Sequence, residues 1–418
     1  MKKKLISAIS STSMILMLLL SGCSSDTTNA NASNTETTPS EETSTTTPDE
    51  SESVTETEPA TEPVEPVTIT VTAIGDMLMH AGASIPALQA DGSYNYDYLF
   101  TNVKDKIQAA DLAVVNQEVI FGGNEKGLLG YPLFNIRTEQ GTALVNAGFD
   151  VVLCATNHSI DQHAAGTLNT IKFWKTTHPD TTYLGIHESQ EEADTITVKD
   201  INGIKVAMLN YTYGLNGFNL PEDKPYLIDL MNQYTKDKVV SDIAKAKEIS
   251  DFVIVFPHWG TEYVFKETVE QQEWAQLFAD NGVDLVIGTH PHVIEPVKWI
   301  EGKDGNRTLV YYSLGNFVSI QYYNYNMLGG MANVSITKDA TGTYVSDYDM
   351  DFLVTHYTPG RTVVTTYFLD DYTNELAAQH AILTEPGEKY MKVNANYPFT
   401  VEGLKNLAEQ VCPELADY

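Results

Sequence analysis

From Val67 onward, apolar runs of strand length alternate with helix-length segments, and six short polar motifs close or closely follow such runs in one order. They are Gly75-Asp76, Asn116-Gln117-Glu118, Asn157-His158, His258-Trp259-Gly260, His290-Pro291-His292 and Gly315-Asn316-Phe317. Alternation of this kind restricts the chain to a layered α/β architecture, in which ligands gather beyond the carboxyl ends of strands. Oxygen and imidazole ligands collected there form a metal site suited to hydrolytic chemistry.

The periodicity predicts strands over 68–74, 112–116, 150–154, 196–198, 205–210, 252–257 and 284–288, and helices over 102–110, 139–147, 161–175, 236–249 and 270–281. After residue 288 the pattern turns β-like over 293–300, 308–313, 332–337 and 343–352, which predicts a second sheet rather than a simple doubly wound one. A helix is expected near 401–411, at the end of a region (357–418) read as a C-terminal extension packing on the 67–356 domain. There is no GxGxxG after a strand and no GxSxG elbow.

The amino terminus gives an address. Lys2, Lys3 and Lys4 precede an apolar stretch around Met14–Leu20, followed by Ser21-Gly22-Cys23. The run is too short to span a bilayer comfortably, and the cysteine stands where a lipid would be attached, so residues 1–23 resemble a bacterial lipoprotein signal. Lipidated Cys23 would hold the protein extracytoplasmically on the cell membrane. Residues 24–66 carry Ser, Thr, Glu and Pro, no Lys, Arg or aromatic residue, and 11 acids, which reads as a self-repelling tether. With the three lysines of the signal also set aside, about −23 of the total −31 belongs to residues 67–418. That field disfavours nucleic acid and opposes easy binding of any polyanion. Cys154 and Cys412 could pair in an oxidising compartment, although Cys154 also reads as a small buried hydrophobe, and no cysteine spacing suggests a zinc ribbon.

Taken together, Ile74-Gly75-Asp76, Asn116-Gln117-Glu118, Ala155 to Asp161, His258 to Tyr263, Gly288 to Val293 and Ser313 to Phe317 resemble the bacterial capsule synthesis (CapA-type, poly-γ-glutamate biosynthesis) family, a branch of the calcineurin-like metallophosphatases. The resemblance covers residues 68–320. It implies a four-layer α-β-β-α sandwich with one or two divalent ions, Mn, Fe or Zn, between the strand ends. It makes Asp76, Glu118, Asn157, His258, His290 and His292 the metal ligands and His158 the proton donor or charge stabiliser. Glu118 stands at the bridging position, where a shared carboxylate would hold two cations about 3.5 to 4 Å apart. One departure weakens the pattern: the superfamily opens Asp-x-His, and here Leu78 stands at the histidine position, with His80 able to replace it only if the chain turns.

The residues also carry readings of their own. His290 and His292, at alternate positions of an extended segment, would face one site. Ser159-Ile160-Asp161-Gln162 reads as a capping box, with orientation of His158 as the other role open to Asp161. Glu262 could hold a ligand histidine from behind, and Trp259 and Tyr263 could line a pocket or simply pack. Arg137 is either a clamp for an anionic substrate or a surface arginine at a helix start. Three functions follow: a component of polymer synthesis or export working with synthase or export proteins, a phosphoester hydrolase acting on a small or cell-envelope substrate, or a non-catalytic module that retains a metal.

Overall fold

A computed structural model describes residues 65–384 and 393–415. The signal, Cys23 and nearly all of the tether lie outside the described residues.

The first sheet is built around β1 (Val67–Met77), with β2 (Leu112–Asn116), β3 (Val151–Leu153) and β4 (Thr182–Leu184) parallel beside it in chain order. The connections carry α1 (Lys104–Ala109), α2 (Thr138–Ala147) and α3 (His163–Thr177). Crossovers that step in one direction with one hand place their helices on one face. Every residue of β2 is buried, as a strand covered on both faces requires.

After β4 come α4 (Gln190–Ala193) and the hairpin of β5 (Thr197–Ile201) and β6 (Ile204–Thr212), turned at Asn202-Gly203, both with positive φ. Asn-Gly is the pair that such a two-residue turn favours. β6, β7 (Phe252–His258), β8 (Leu285–Ile287) and β10 (Arg307–Tyr311) then run parallel, with β9 (Val297–Glu301) antiparallel at the edge.

Alternation along these strands separates two cores. Val206, Met208, Phe252, Ile254 and Phe256 join the large core shared with the first sheet, while Ala207, Leu209, Val253 and Val255 pack against α5 (Lys236–Ile249) and α6 (Val269–Asp280). The result is helices, sheet, sheet, helices, the four layers implied by the family resemblance. α6 starts with a full capping box, Thr268 with Gln271.

The β-rich run does not join the second sheet as a block: only β9 and β10 do so. Instead β11 (Asn316–Val318), β12 (Leu328–Asp339), β13 (Gly342–Tyr357) and β14 (Val364–Phe368) return to the first sheet, β12 pairing antiparallel with β1 over Val67–Ile74. β13 continues through residue 356 and pairs with β14, so the chain crosses the expected division inside a strand. Beyond β14 lie α7 (Asn374–Gln379), α8 (Ala381–Thr384) and α9 (Val401–Val411). Cys154 and Cys412 are both buried and both free; Cys412 Sγ lies against the Glu295 carbonyl, whereas Cys154 follows β3 in the central core.

Candidate metal centre

The carboxyl ends of the parallel strands of both sheets converge. Asp76 is the penultimate residue of β1, Asn116 ends β2, Asn157 and His158 follow β3, His258 ends β7, and His290 and His292 follow β8. Gly75 makes the close approach of β1 to the residue before β11 possible, since an added Cβ would lie 2.0 Å from the Gly315 carbonyl oxygen. The Asp76 amide donates to that same oxygen at 2.8 Å, which aims the carboxylate past the sheet edge.

All six expected ligands are buried to within 3% exposure, so their polar atoms must be satisfied by one another or by a bound ion. Asp76 is fully engaged. Its Oδ1 accepts from Asn116 Nδ2 at 2.8 Å, its Oδ2 from His292 Nδ1 at 3.0 Å, and both oxygens lie 3.3 Å from the His290 amide. Glu118 is the opposite case. Among the described residues neither carboxylate oxygen has a hydrogen-bond donor, and its Oε1 lies 3.7 Å from His258 Nε2 and 3.6 Å from His292 Nε2. Asn116 Oδ1 and His290 Nδ1 also lack partners.

Burial pushes the Glu118 carboxyl well above its ordinary range, with His292 pulling the other way. Burial drives His258 and His290 well below theirs, so both are neutral imidazoles ready to donate a lone pair. For His292, burial is outweighed by Glu118 and Asp76, and the ring is raised to about 9.

The orphaned acceptors test whether a divalent ion fits. Glu118, His290 and His292 offer ligand atoms all within 4.8 Å of one another, so this group could hold a metal ion. His258 Nε2 stands 2.9 Å from Asn157 Oδ1 and 3.7 Å from Glu118 Oε1. Ligands about 2.1 Å from a common ion lie roughly 3.0 to 3.4 Å apart, so these N and O atoms would have to draw together around an ion, by a few tenths of an ångström where they stand 3.7 Å apart. The donors fit. His258 Nδ1 is 3.0 Å from Thr289 Oγ1, which can accept its proton when Nε2 is a ligand.

His290 and His292 converge for a reason other than the expected one. The segment is a bend, not a strand: φ is 98° at His290 and 57° at His292, the left-handed region that non-glycine residues avoid. Asn326 Nδ2 donates to the His292 carbonyl at 2.8 Å and Asn316 Nδ2 lies 3.4 Å from it, contacts that hold the bend in place.

His158 lies on the side of Asn157. Its Nδ1 donates to Asp161 Oδ2 at 2.7 Å, and Phe134 packs edge-on with ring centroids 4.7 Å apart. Asp161 does not cap a helix, because α3 begins only at His163; its Oδ2 also accepts the Phe134 amide at 2.7 Å, and Ser159 Oγ turns back to the Cys154 and Thr156 carbonyls. His80 does not fill the place left by buried Leu78. Its Nδ1 faces the Leu78 carbonyl at 3.1 Å and its ring lies against Phe134.

Arg137 is not brought to this cluster. Its guanidinium bonds Glu139 at 2.8 Å and stacks 4.3 Å over Tyr94. Glu262 is an exposed rim charge that acts on His292 and Tyr263, while the ring nitrogens of His292 and His258 are met by Asp76 and Thr289 instead. Trp259 packs on Tyr312 beneath α6, and Tyr263, at φ 67°, stands 6.1 Å from His292. Thr289, Asn326 and Asn216 were not singled out from sequence; only the Asn216-Gly217 turn pair signals anything there.

Residues 70–321, which contain all six motifs, match the family model described as bacterial capsule synthesis protein PGA_cap. The chain is 30% identical over 273 residues to the capsule biosynthesis protein CapA of Bacillus anthracis, covering 62% of this chain and 63% of that protein. It is 27% identical over 251 residues to the PGA biosynthesis protein CapA of Bacillus subtilis (strain 168), covering 59% and 63%. The chain therefore spans less than two thirds of these relatives' length. Among solved structures, a novel phosphatase from Mycoplasma pneumoniae aligns with 16% identity over 69% of this chain and 95% of its own (TM-score 0.44). The calcineurin-like phosphoesterase YfkN of Bacillus subtilis aligns with 12% identity over 69% and 91% (TM-score 0.38).

Proposed function

The chain belongs to the bacterial capsule synthesis protein family PGA_cap, and from that membership we propose that it serves the synthesis or export of a capsule polymer such as poly-γ-glutamate, anchored outside the cell membrane through lipidated Cys23 and working with synthase or export proteins. In this reading Glu118, Asn157, His258, His290 and His292, with Asp76, hold one or two ions of Mn, Fe or Zn. The observation that carries the metal reading is the Glu118 carboxylate, buried beside three histidines with no donor on either oxygen. Polymer yield in a strain lacking its own copy, restored by the wild-type chain and not by His258→Ala, is the test. Full restoration by His258→Ala would remove the site from the function.

A second reading, phosphoester hydrolysis, is favoured by the His158–Asp161 pair. A divalent ion bound in this group would supply Lewis-acid polarisation of a phosphoryl oxygen. Asp161 accepts the proton of His158 Nδ1 and so leaves Nε2 as the atom that gives or takes a proton at a leaving oxygen. Phe134 excludes water from one face of that ring. Release of phosphate from mono- or diesters with Mn, Fe or Zn, lost in His158→Ala, supports this reading. Ion binding without turnover under any of these metals identifies a non-catalytic module.

A further inference from the structure

We infer that Asn216 is a positioning residue: it decides which end of the Asn157 side-chain amide faces the metal centre. The inference rests on the reading of Asn157 as an oxygen ligand. A carboxamide is nearly symmetric in shape, and packing alone does not distinguish its oxygen from its nitrogen. Only the oxygen can ligate a cation. Asn157 Nδ2 donates to Asn216 Oδ1 at 3.2 Å, and this contact turns Asn157 Oδ1 toward His258, whose Nε2 is 2.9 Å away.

Asn216 is itself told apart end from end. Its Nδ2 lies 3.5 Å from His158 Nε2, the ring nitrogen left to accept because Nδ1 gives its proton to Asp161 at 2.7 Å. A relay of side chains therefore runs from Asp161 through His158, Asn216 and Asn157 to His258. It joins the loop after β3 in the first sheet to β6 and β7 in the second. Asn216 lies four residues beyond the end of β6, in the left-handed region at φ 50°, a conformation that asparagine tolerates better than most residues. The same loop sets Tyr213 against the His290 ring, with centroids 4.7 Å apart, so it touches the centre at two places.

Calorimetric titration of the full chain with Mn²⁺ and Zn²⁺ tests this. Asn216→Gly keeps the backbone conformation and removes the acceptor, and ion affinity should fall by roughly 10- to 100-fold. Asn216→Asp keeps an oxygen facing Asn157 Nδ2 and should stay within about 3-fold of wild type. The decisive arm is Asn157→Asp, which puts oxygen at both ends so that orientation no longer matters. In that background Asn216→Gly should cost less than about 2-fold. An undiminished loss there, or wild-type affinity in Asn216→Gly alone, overturns the inference and leaves the metal reading standing. A wild-type chain that takes up neither ion removes both. Should Asn216→Gly fail to fold, a loss in Asn216→Asp comparable to that of Asn216→Ala would also overturn it.

Discussion

Replacing Glu118 by glutamine should make the ion-free protein more stable and the ion-loaded protein less stable. Without an ion the buried set contains the Asp76 carboxylate and a Glu118 carboxyl that burial pushes well above its ordinary range, against the raised ring of His292. Asp76 Oδ2 holds that ring at 3.0 Å with hydrogen-bond geometry, whereas Glu118 reaches it only at 3.6 Å and receives no donor. Glu118→Gln leaves Asp76 and His292 as a matched pair and removes the carboxylate whose desolvation is uncompensated. Near neutral pH folding must either protonate this carboxyl or bury its charge, a cost of about 1 to 3 kcal/mol that the carboxamide does not carry, so a gain of that order is expected in chelator. With an ion present the sign reverses. Ligand binding stabilises the wild type by about 2.7 kcal/mol at a hundred times Kd, and the variant, short of its carboxylate ligand, gains much less. Thermal melts with EDTA and with Mn²⁺ or Zn²⁺ should show the two curves exchange order. A variant destabilised in EDTA would refute the reasoning, because it would make Glu118 the structural counter-ion of His292 rather than a ligand.

If His158 and Asp161 act as a proton-handling pair, His158→Ala should lower any phosphoesterase kcat by about 10²- to 10⁴-fold while ion affinity, measured calorimetrically, changes little. Asp161→Asn should fall in the same direction by a smaller factor. Arg137→Ala should leave ion binding and turnover within about 2-fold and cost no more than roughly 1 kcal/mol in denaturant titrations, since its partners are Glu139 and Tyr94; a large rise in KM would restore the clamp reading. Glu295 is fully buried, with Oε2 accepting from Gln271 at 2.6 Å and Oε1 unpartnered, and burial raises its carboxyl from 4.5 to about 8. Between those values the folded chain holds a proton that the unfolded chain has lost, so stability falls as pH rises and the penalty is complete above about pH 8, at most roughly 4 to 5 kcal/mol. Glu295→Gln should therefore gain on the wild type as melts move from pH 5 to pH 9, and a constant difference would contradict the assignment.

The main strands were legible because apolar runs bounded by polar motifs leave little choice of element, and strand ends then locate the site without any coordinates. What escaped depends on non-local register. Thr289 comes beside His258 through a bridge between the last residue of β7 and the second residue past β8, and no local pattern encodes that pairing. Glu262, four residues from His258 in the chain, was the nearer candidate by sequence and stands exposed on the rim. Asp161 was ambiguous because a capping box and a histidine–carboxylate pair share the same i,i+3 spacing; the late start of α3 at His163 decides between them. The period-2 reading of His290 and His292 failed on backbone conformation, since positive φ at both residues replaces the extended geometry it assumes. β12 and β13 were read as β-like and expected in a second sheet, and β14 was not read at all; their return to the first sheet escaped because the pairing of β12 with β1 is a contact across more than 200 residues.

The substitution of Leu78 for a histidine gains a physical meaning from the two carboxylates. Asp76, the residue beside the missing imidazole, already has three donors, and one of them is His292. An ion bound at Asp76 must displace that proton, and it finds no imidazole at buried Leu78 and none from His80, which turns to the Leu78 carbonyl. Glu118 has no hydrogen bond to break: neither oxygen has a donor among the described residues, an ion displaces only the proton that burial favours on the carboxyl, and His258 and His290 beside it are already neutral. The cost of loading an ion is therefore lower on the Glu118, Asn157, His258 and His290 side than on the Asp76 side. The same charge balance bears on the substrate. With Arg137 tied to Glu139 and a domain charge near −23, an anionic group would find its attraction in an ion bound at the centre, and on the proposed metal reading a single anionic group entering the site is expected rather than a long polyanion lying across the surface.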